Sequence, residues 1–156
     1  MREKKQKGNT MAINSRAKGV RGEAEVARMF KKWGYPARRS QQFCGYHGDA
    51  DVIGVPYLHI EVKFVEDLDI PKAMAQADRD SDAYMAKTNE GVVPVVIRKT
   101  SRKPWMVTMH LDDLAGMYTG CPAPFQTDAP GDGLVHMLFD DWIKVYCMYQ
   151  QWRDEQ

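Results

Sequence analysis

Four charged side chains interrupt two apolar runs in "DADVIGVPYLHIEVK", residues 49 to 63: Asp49, Asp51, Glu61 and Lys63. Side chains alternate across a strand, so parity sorts this stretch into two faces. Leu58, Ile60, Val62 and Phe64 share one face of the second run, while Tyr57, His59, Glu61 and Lys63 share the other. In the first run Ala50 and Val52 alternate with Asp49 and Asp51. If both apolar sets face one core, the acids and the lysine must meet on the opposite face. Like charges on neighbouring strands repel unless a cation sits between them. An amine beside such a site can hold a water or stabilise developing negative charge. Taken alone, the same pattern also fits the wet side of a half-buried antiparallel sheet.

Two residues outside the hairpin bear on that choice. Glu23 shares a helical stripe with Ala27 and Phe30, at i+4 and i+7, which puts it at the border of an apolar face. A carboxylate there needs a partner. Glu25 points away from that stripe and is expected to be solvated. Gln76 lies at the edge of a second stripe through Ala73, Ala77 and Tyr84. His59 shares the charged face, where a spectator role is the more common one. One CxxH, Cys44 to His47, is too little for a zinc site.

These residues need elements to hold them. Spacing predicts a helix over 20–33, stopped by Gly34, and a strand in "PARRSQQF". Two strands follow in "DADVIGV" and "YLHIEVKF", joined near Gly54 to Pro56. Pro71 suits the first turn of a helix running to about Lys87, with strands next in "GVVPVVIRK" and "WMVTMH" and a short helix in "LDDLAGMY". The order α-β-β-β-α-β-β points to an α/β sandwich. Residues 119–133 hold three Pro and three Gly and read as a linker. Val135, Leu138, Trp142, Val145, Tyr149 and Trp152 then fall at helical spacing, so a C-terminal helical extension is expected over 134–156. It is too short to argue a coiled coil, and suits packing onto the domain as well as a dimer contact. Residues 1–18 lack apolar periodicity and read as a flexible arm before a domain over 19–118.

Composition limits what such a domain can be. A chain of 156 residues with 44% hydrophobic and 28% charged residues is an ordinary globule with a real core. Neither a membrane span nor a signal peptide is evident in the sequence, so cytoplasmic residence is expected. Cys44, Cys121 and Cys147 are odd in number and far apart, and reduced thiols are expected. The net charge of +1 hides an asymmetry: residues 1–39 carry 12 Lys/Arg against three Glu, residues 40–156 carry 10 against 18 acids. The basic first quarter is either a solvated tail or a phosphate-binding surface.

Together the pieces resemble a known pattern. "KGVRGE" (Glu23), "DADV" (Asp51), "IEVK" (Glu61, Lys63) and "AMAQAD" (Gln76) have the order and spacing of PD-(D/E)XK nucleases. Within that superfamily they look most like archaeal-type Holliday junction resolvases and their phage-encoded relatives, over residues 16 to 115. Ala50 stands where the pattern usually has Pro, and Asp49 leaves two aspartates as candidates for one role, with Asp51 favoured because it leads into the apolar strand. The resemblance implies a restriction-endonuclease-like α-β-β-β-α-β core, a mixed central sheet flanked by helices. It also implies a Mg²⁺-dependent endonuclease, with Mn²⁺ able to substitute, acting on DNA and most in keeping with four-way junctions. Asp51, Glu61 and the Val62 carbonyl would hold the ion, and Glu23 a second ion or its water. Lys63 would orient the attacking water, and Gln76 would support the site. Arg16, Lys18, Arg21, Arg38 and Arg39 would grip phosphates. Symmetric cutting of two strands implies a homodimer. Other nucleases on this core (nickase, flap, single-strand or restriction-like) and a catalytically silent DNA-binding module stay as alternatives.

Overall fold

In the computed structural model, the described residues are 7–40, 49–120 and 132–156, with side chains from residue 14 onward. The elements are α1 (Lys7–Lys32), β1 (Arg38–Arg39), β2 (Val52–Ile53), β3 (Leu58–Phe64), α2 (Ile70–Thr88), β4 (Val93–Lys99), β5 (Met106–His110), α3 (Leu111–Thr119), β6 (Leu134–Leu138) and α4 (Phe139–Asp154). The six strands lie in chain order in one sheet. All neighbours are antiparallel except β3 and β4, which run parallel with Lys63 opposite Arg98. A parallel pair needs a crossover, and α2 supplies it. The expected α-β-β-β-α-β core and mixed sheet are therefore present.

The sheet is covered on both faces. Leu58, Ile60, Val62 and Phe64 face a core shared with Val26 and Phe30 of α1, Val95 and Ile97 of β4, and Trp142, Ile143 and Tyr146 of α4. On the other face Ala73, Met74 and Ala77 of α2 pack on Val96. The small residues of α2 let it approach closely, and its ends are well defined. Asp69 accepts a hydrogen bond from the Lys72 amide at 3.0 Å, Pro71 occupies the first turn, and Asn89 closes the helix at φ 57°. Between β2 and β3, Gly54 sits at φ 87°, where an added Cβ would run into the Pro36 carbonyl. Only glycine makes that turn without strain.

Three expectations are corrected. The first helix begins at Lys7, not near residue 20, so much of the basic arm is helical. Apolar periodicity marks burial rather than helicity, and residues 14–17 are exposed, so "NSRA" forms helix without a stripe to announce it. The first two strands are shorter than expected, and residues 41–43 of "PARRSQQF" lie outside the described residues, as does most of the 119–133 linker.

The third correction concerns the C-terminus. Residues 134–138 are a strand paired with β5 along its whole length, Leu134 opposite His110 and Leu138 opposite Met106. Val135 and Leu138, three residues apart, read as a helical stripe, yet Leu134, Val135, Met137 and Leu138 form a short apolar run that periodicity alone cannot assign to helix or strand. Nor is the helix behind it an appendage: Phe139, Trp142, Ile143, Tyr146 and Tyr149 are buried in the main core. Trp142 and Tyr146 stack at 5.4 Å, and Phe30 meets both edge-on. The Tyr146 hydroxyl donates to the Pro56 carbonyl at 2.8 Å, tying α4 to the β2–β3 turn.

Candidate active site

Register assembles the site. Val52 lies opposite Ile60, and the Asp51 amide donates to the Ile60 carbonyl at 2.8 Å. Both apolar residues face the core, so Asp51 and Glu61 are thrown together on the α2 side, as parity required. One Asp51 carboxylate oxygen accepts from the Val62 amide at 2.8 Å, which fixes the side chain across the strands. Asp51 also shares a hydrogen bond with the Glu61 carboxyl. Asp49 is exposed at the mouth of the strand, so Asp51 is the aspartate that meets Glu61.

The charged face is not a wet surface, because α2 lies over it. Gln76, Asp80 and Tyr84 recur every four residues and stand beside Lys63, Glu61 and His59, which recur every two. Four helical residues rise about 6 Å and two strand residues about 6.6 Å, so an antiparallel helix keeps step with the strand. The Lys63 ammonium donates to Gln76 Oε1 at 3.2 Å and sits 3.7 Å from Glu61 Oε2. His59 is buried, not half-exposed, and packs edge-on to Tyr84 at 6.1 Å. Asp80 is an acid near Glu61 that motif matching missed; the four-residue step from Gln76 was the signal for it.

Glu23 stands at the border of this group. It accepts from Arg39 at 2.9 Å and 2.8 Å, and the Asp51 charge reaches it without a hydrogen bond between the two carboxylates. Among the described residues no group of three or more His, Cys, Asp or Glu side chains is placed to hold one ion together. The close acidic pair is Asp51 with Glu61. Glu25, expected to be solvated, is half-buried instead: it accepts from Lys99 at 3.2 Å and from the Trp105 indole at 3.0 Å. The sheet runs beneath the stripe of α1, so Glu23 and Glu25 flank it on opposite sides.

The basic residues divide in two. Arg16, Arg21 and Arg38 are exposed and form no ion pair among the described residues, and Arg21 lies over the Phe64 ring at 5.4 Å. Lys18 is bound to Glu66 and Ser101 and Arg39 to Glu23, so those two act within the fold as well. Cys44 and His47 lie outside the described residues.

Electrostatics shows the strain in the acidic pair. Glu61 is 4% exposed. Burial first, then the Asp51 charge, push its carboxyl from the ordinary 4.5 to about 8, against the pull of Lys63. Burial also raises Asp51, although the Val62 amide and Lys63 work the other way. Without a cation, then, the pair holds a proton. A buried and a half-buried carboxylate, all-oxygen donors and no thiolate suit a hard divalent ion that can replace it.

A pH dependence follows. A carboxyl raised on folding binds its proton more tightly in the folded state, so stability is greatest below the unfolded value near 4.5 and falls as pH rises toward about 8. Metal-free protein should lose thermal stability across that window. Glu61→Gln should flatten the profile, and Mg²⁺ should restore stability at the alkaline end. Melting curves at stepped pH, with Mg²⁺ or chelator, check all three.

No protein-family model matches the chain, and no curated protein matches it. Among solved structures it is similar to Hjc, a Holliday junction resolvase from the archaeal hyperthermophile Archaeoglobus fulgidus, at 17% identity and a TM-score of 0.41, covering 81% of this chain and 93% of that chain.

Proposed function

We propose that this protein is a metal-dependent endonuclease that hydrolyses DNA phosphodiester bonds, with branched DNA, and four-way junctions in particular, as its substrate. The observation that carries the reading is the close Asp51–Glu61 pair beside Lys63, with Glu61 buried. Asp51, Glu61 and the Val62 carbonyl would hold Mg²⁺, or Mn²⁺ in its place, with Glu23 within reach of a second ion. Bound there, the ion would neutralise phosphate charge and activate water for attack.

The chain's own residues supply the rest. The Val62 amide holds Asp51 in one orientation, so the carboxylate is preorganised rather than recruited. Gln76 accepts one N–H of the Lys63 ammonium at 3.2 Å, which orients the remaining donors for a phosphate oxygen or an incoming water. Arg39 positions Glu23 through paired guanidinium contacts. The exposed Arg16, Arg21 and Arg38 extend cationic surface along α1 and β1, suited to backbone phosphates. Lys63→Met should lower turnover by on the order of 10²-fold while leaving Mg²⁺ binding by calorimetry nearly unchanged. Loss of ion binding instead would move Lys63 from charge stabilisation to site assembly.

Symmetric incision of a junction calls for a two-fold homodimer, which light scattering checks. Substrate class is tested by presenting a four-way junction, a flap, a single strand and a linear duplex in Mg²⁺. Preference for the junction supports resolution. Equal cutting of all four assigns a general nuclease on the same site, and binding without cutting assigns a silent DNA-binding module.

A further inference from the structure

Arg98 is a charged residue of the α2 face that the site described above leaves unused. It is the register partner of Lys63 on the adjacent parallel strand, about 4.8 Å away in the sheet. Parity gives it the same face as Val96, which packs under α2. Its Nε donates to the Thr108 hydroxyl at 3.0 Å, and that oxygen lies 2.9 Å from His136 Nδ1. Thr108 is fully buried and His136 is exposed, so the three residues form a row from the middle of the sheet to its β6 edge.

The guanidinium is held without being neutralised. Arg98 is half-buried and forms no ion pair among the described residues, although Lys18, Arg39, Lys63 and Lys99 each meet a carboxylate. A charge withdrawn from water is costly unless an opposite charge meets it. One N–H goes to Thr108, and the terminal fork keeps its donors for two oxygens of one oxyanion. We infer that Arg98, fixed by Thr108, binds a DNA backbone phosphate next to the one that reaches Lys63, so that the DNA track continues from Lys63 across β4 toward β6. The inference rests on the DNA-directed reading of the site, but not on its catalysis.

The test is binding of a labelled four-way junction and a linear duplex in chelator over a series of salt concentrations. Arg98→Met keeps the apolar stem and removes the charge. It should weaken binding to both DNAs on the order of tenfold and reduce the slope of log affinity against log salt by about one. Arg98→Lys should keep the slope, and Thr108→Val should weaken binding at an unchanged slope by unfastening the guanidinium. Wild-type affinity and slope in Arg98→Met would overturn the inference, as would absence of DNA binding by the wild-type protein. Circular dichroism checks folding. If Arg98→Met is unfolded, the Thr108→Val result decides: weaker binding at the same slope supports the phosphate contact, and wild-type affinity overturns it. Wild-type protein that binds with the expected slope yet cuts nothing in Mg²⁺ refutes the nuclease reading and leaves this contact standing.

Discussion

Asp51→Asn is expected to lower DNA cleavage by on the order of 10³-fold, about 4 kcal/mol of transition-state stabilisation. The substitution is chosen because it is nearly silent structurally. Asn keeps an oxygen that can accept the Val62 amide, so the hydrogen bond at 2.8 Å survives and β2 stays in register. What disappears is one of the two carboxylate charges that would hold a divalent ion. The same change should make the metal-free protein more stable near neutral pH, because the Asp51 charge is the second cause, after burial, of the raised Glu61 carboxyl. Relieving it moves Glu61 back toward its ordinary range and narrows the window over which stability falls with pH. Lost activity, lost ion binding and gained metal-free stability form a signature that simple misfolding cannot imitate, since misfolding lowers all three. Cleavage assays, calorimetry with Mg²⁺ and melting curves read the parts separately.

Trp142→Ala is expected to destabilise the whole domain by about 3–5 kcal/mol, a large share of the stability of a chain this size. Trp142 is fully buried, stacks on Tyr146, meets Phe30 of α1 edge-on, and brings its indole N–H to Met109 of β5 at 3.2 Å. Three elements thus lose packing around one cavity. Deleting residues 134–156 should be more severe, leaving β5 without its β6 partner and the main core without Phe139, Trp142, Ile143 and Tyr146, so the truncated chain should not fold. Chemical denaturation of Trp142→Ala checks the first expectation. A soluble, cooperatively melting 1–133 fragment would show that the C-terminal strand and helix are an accessory instead of part of the core.

How much of this was readable beforehand depended on which physical signal each element carries. The strand bearing Glu61 and Lys63 was legible because its two faces differ in chemistry, and parity needs no long-range information. Pairing Asp51 with Glu61 followed from the same logic, since a one-residue slip would bury the acids in the main core. Residues 14–17 of α1 were illegible for the opposite reason: exposed side chains leave no periodic trace. Strand β6 was misread because Val135 and Leu138 satisfy a helical spacing by chance within five residues, and only pairing with β5 resolves it. Glu25 was dismissed although it lies on the other flank of the stripe that Glu23 borders, where Lys99 and Trp105 are supplied by distant parts of the chain. Arg98 carried no motif at all; its interest comes from its having no carboxylate partner among the described residues.

The most direct measurement of the central claim is incubation of the protein with a synthetic four-way junction and a linear duplex, with Mg²⁺ or with chelator, beside the Asp51→Asn variant. The account predicts junction cleavage that requires Mg²⁺ and is lost in Asp51→Asn. Cleavage of neither DNA, or equal cleavage by Asp51→Asn, would contradict it.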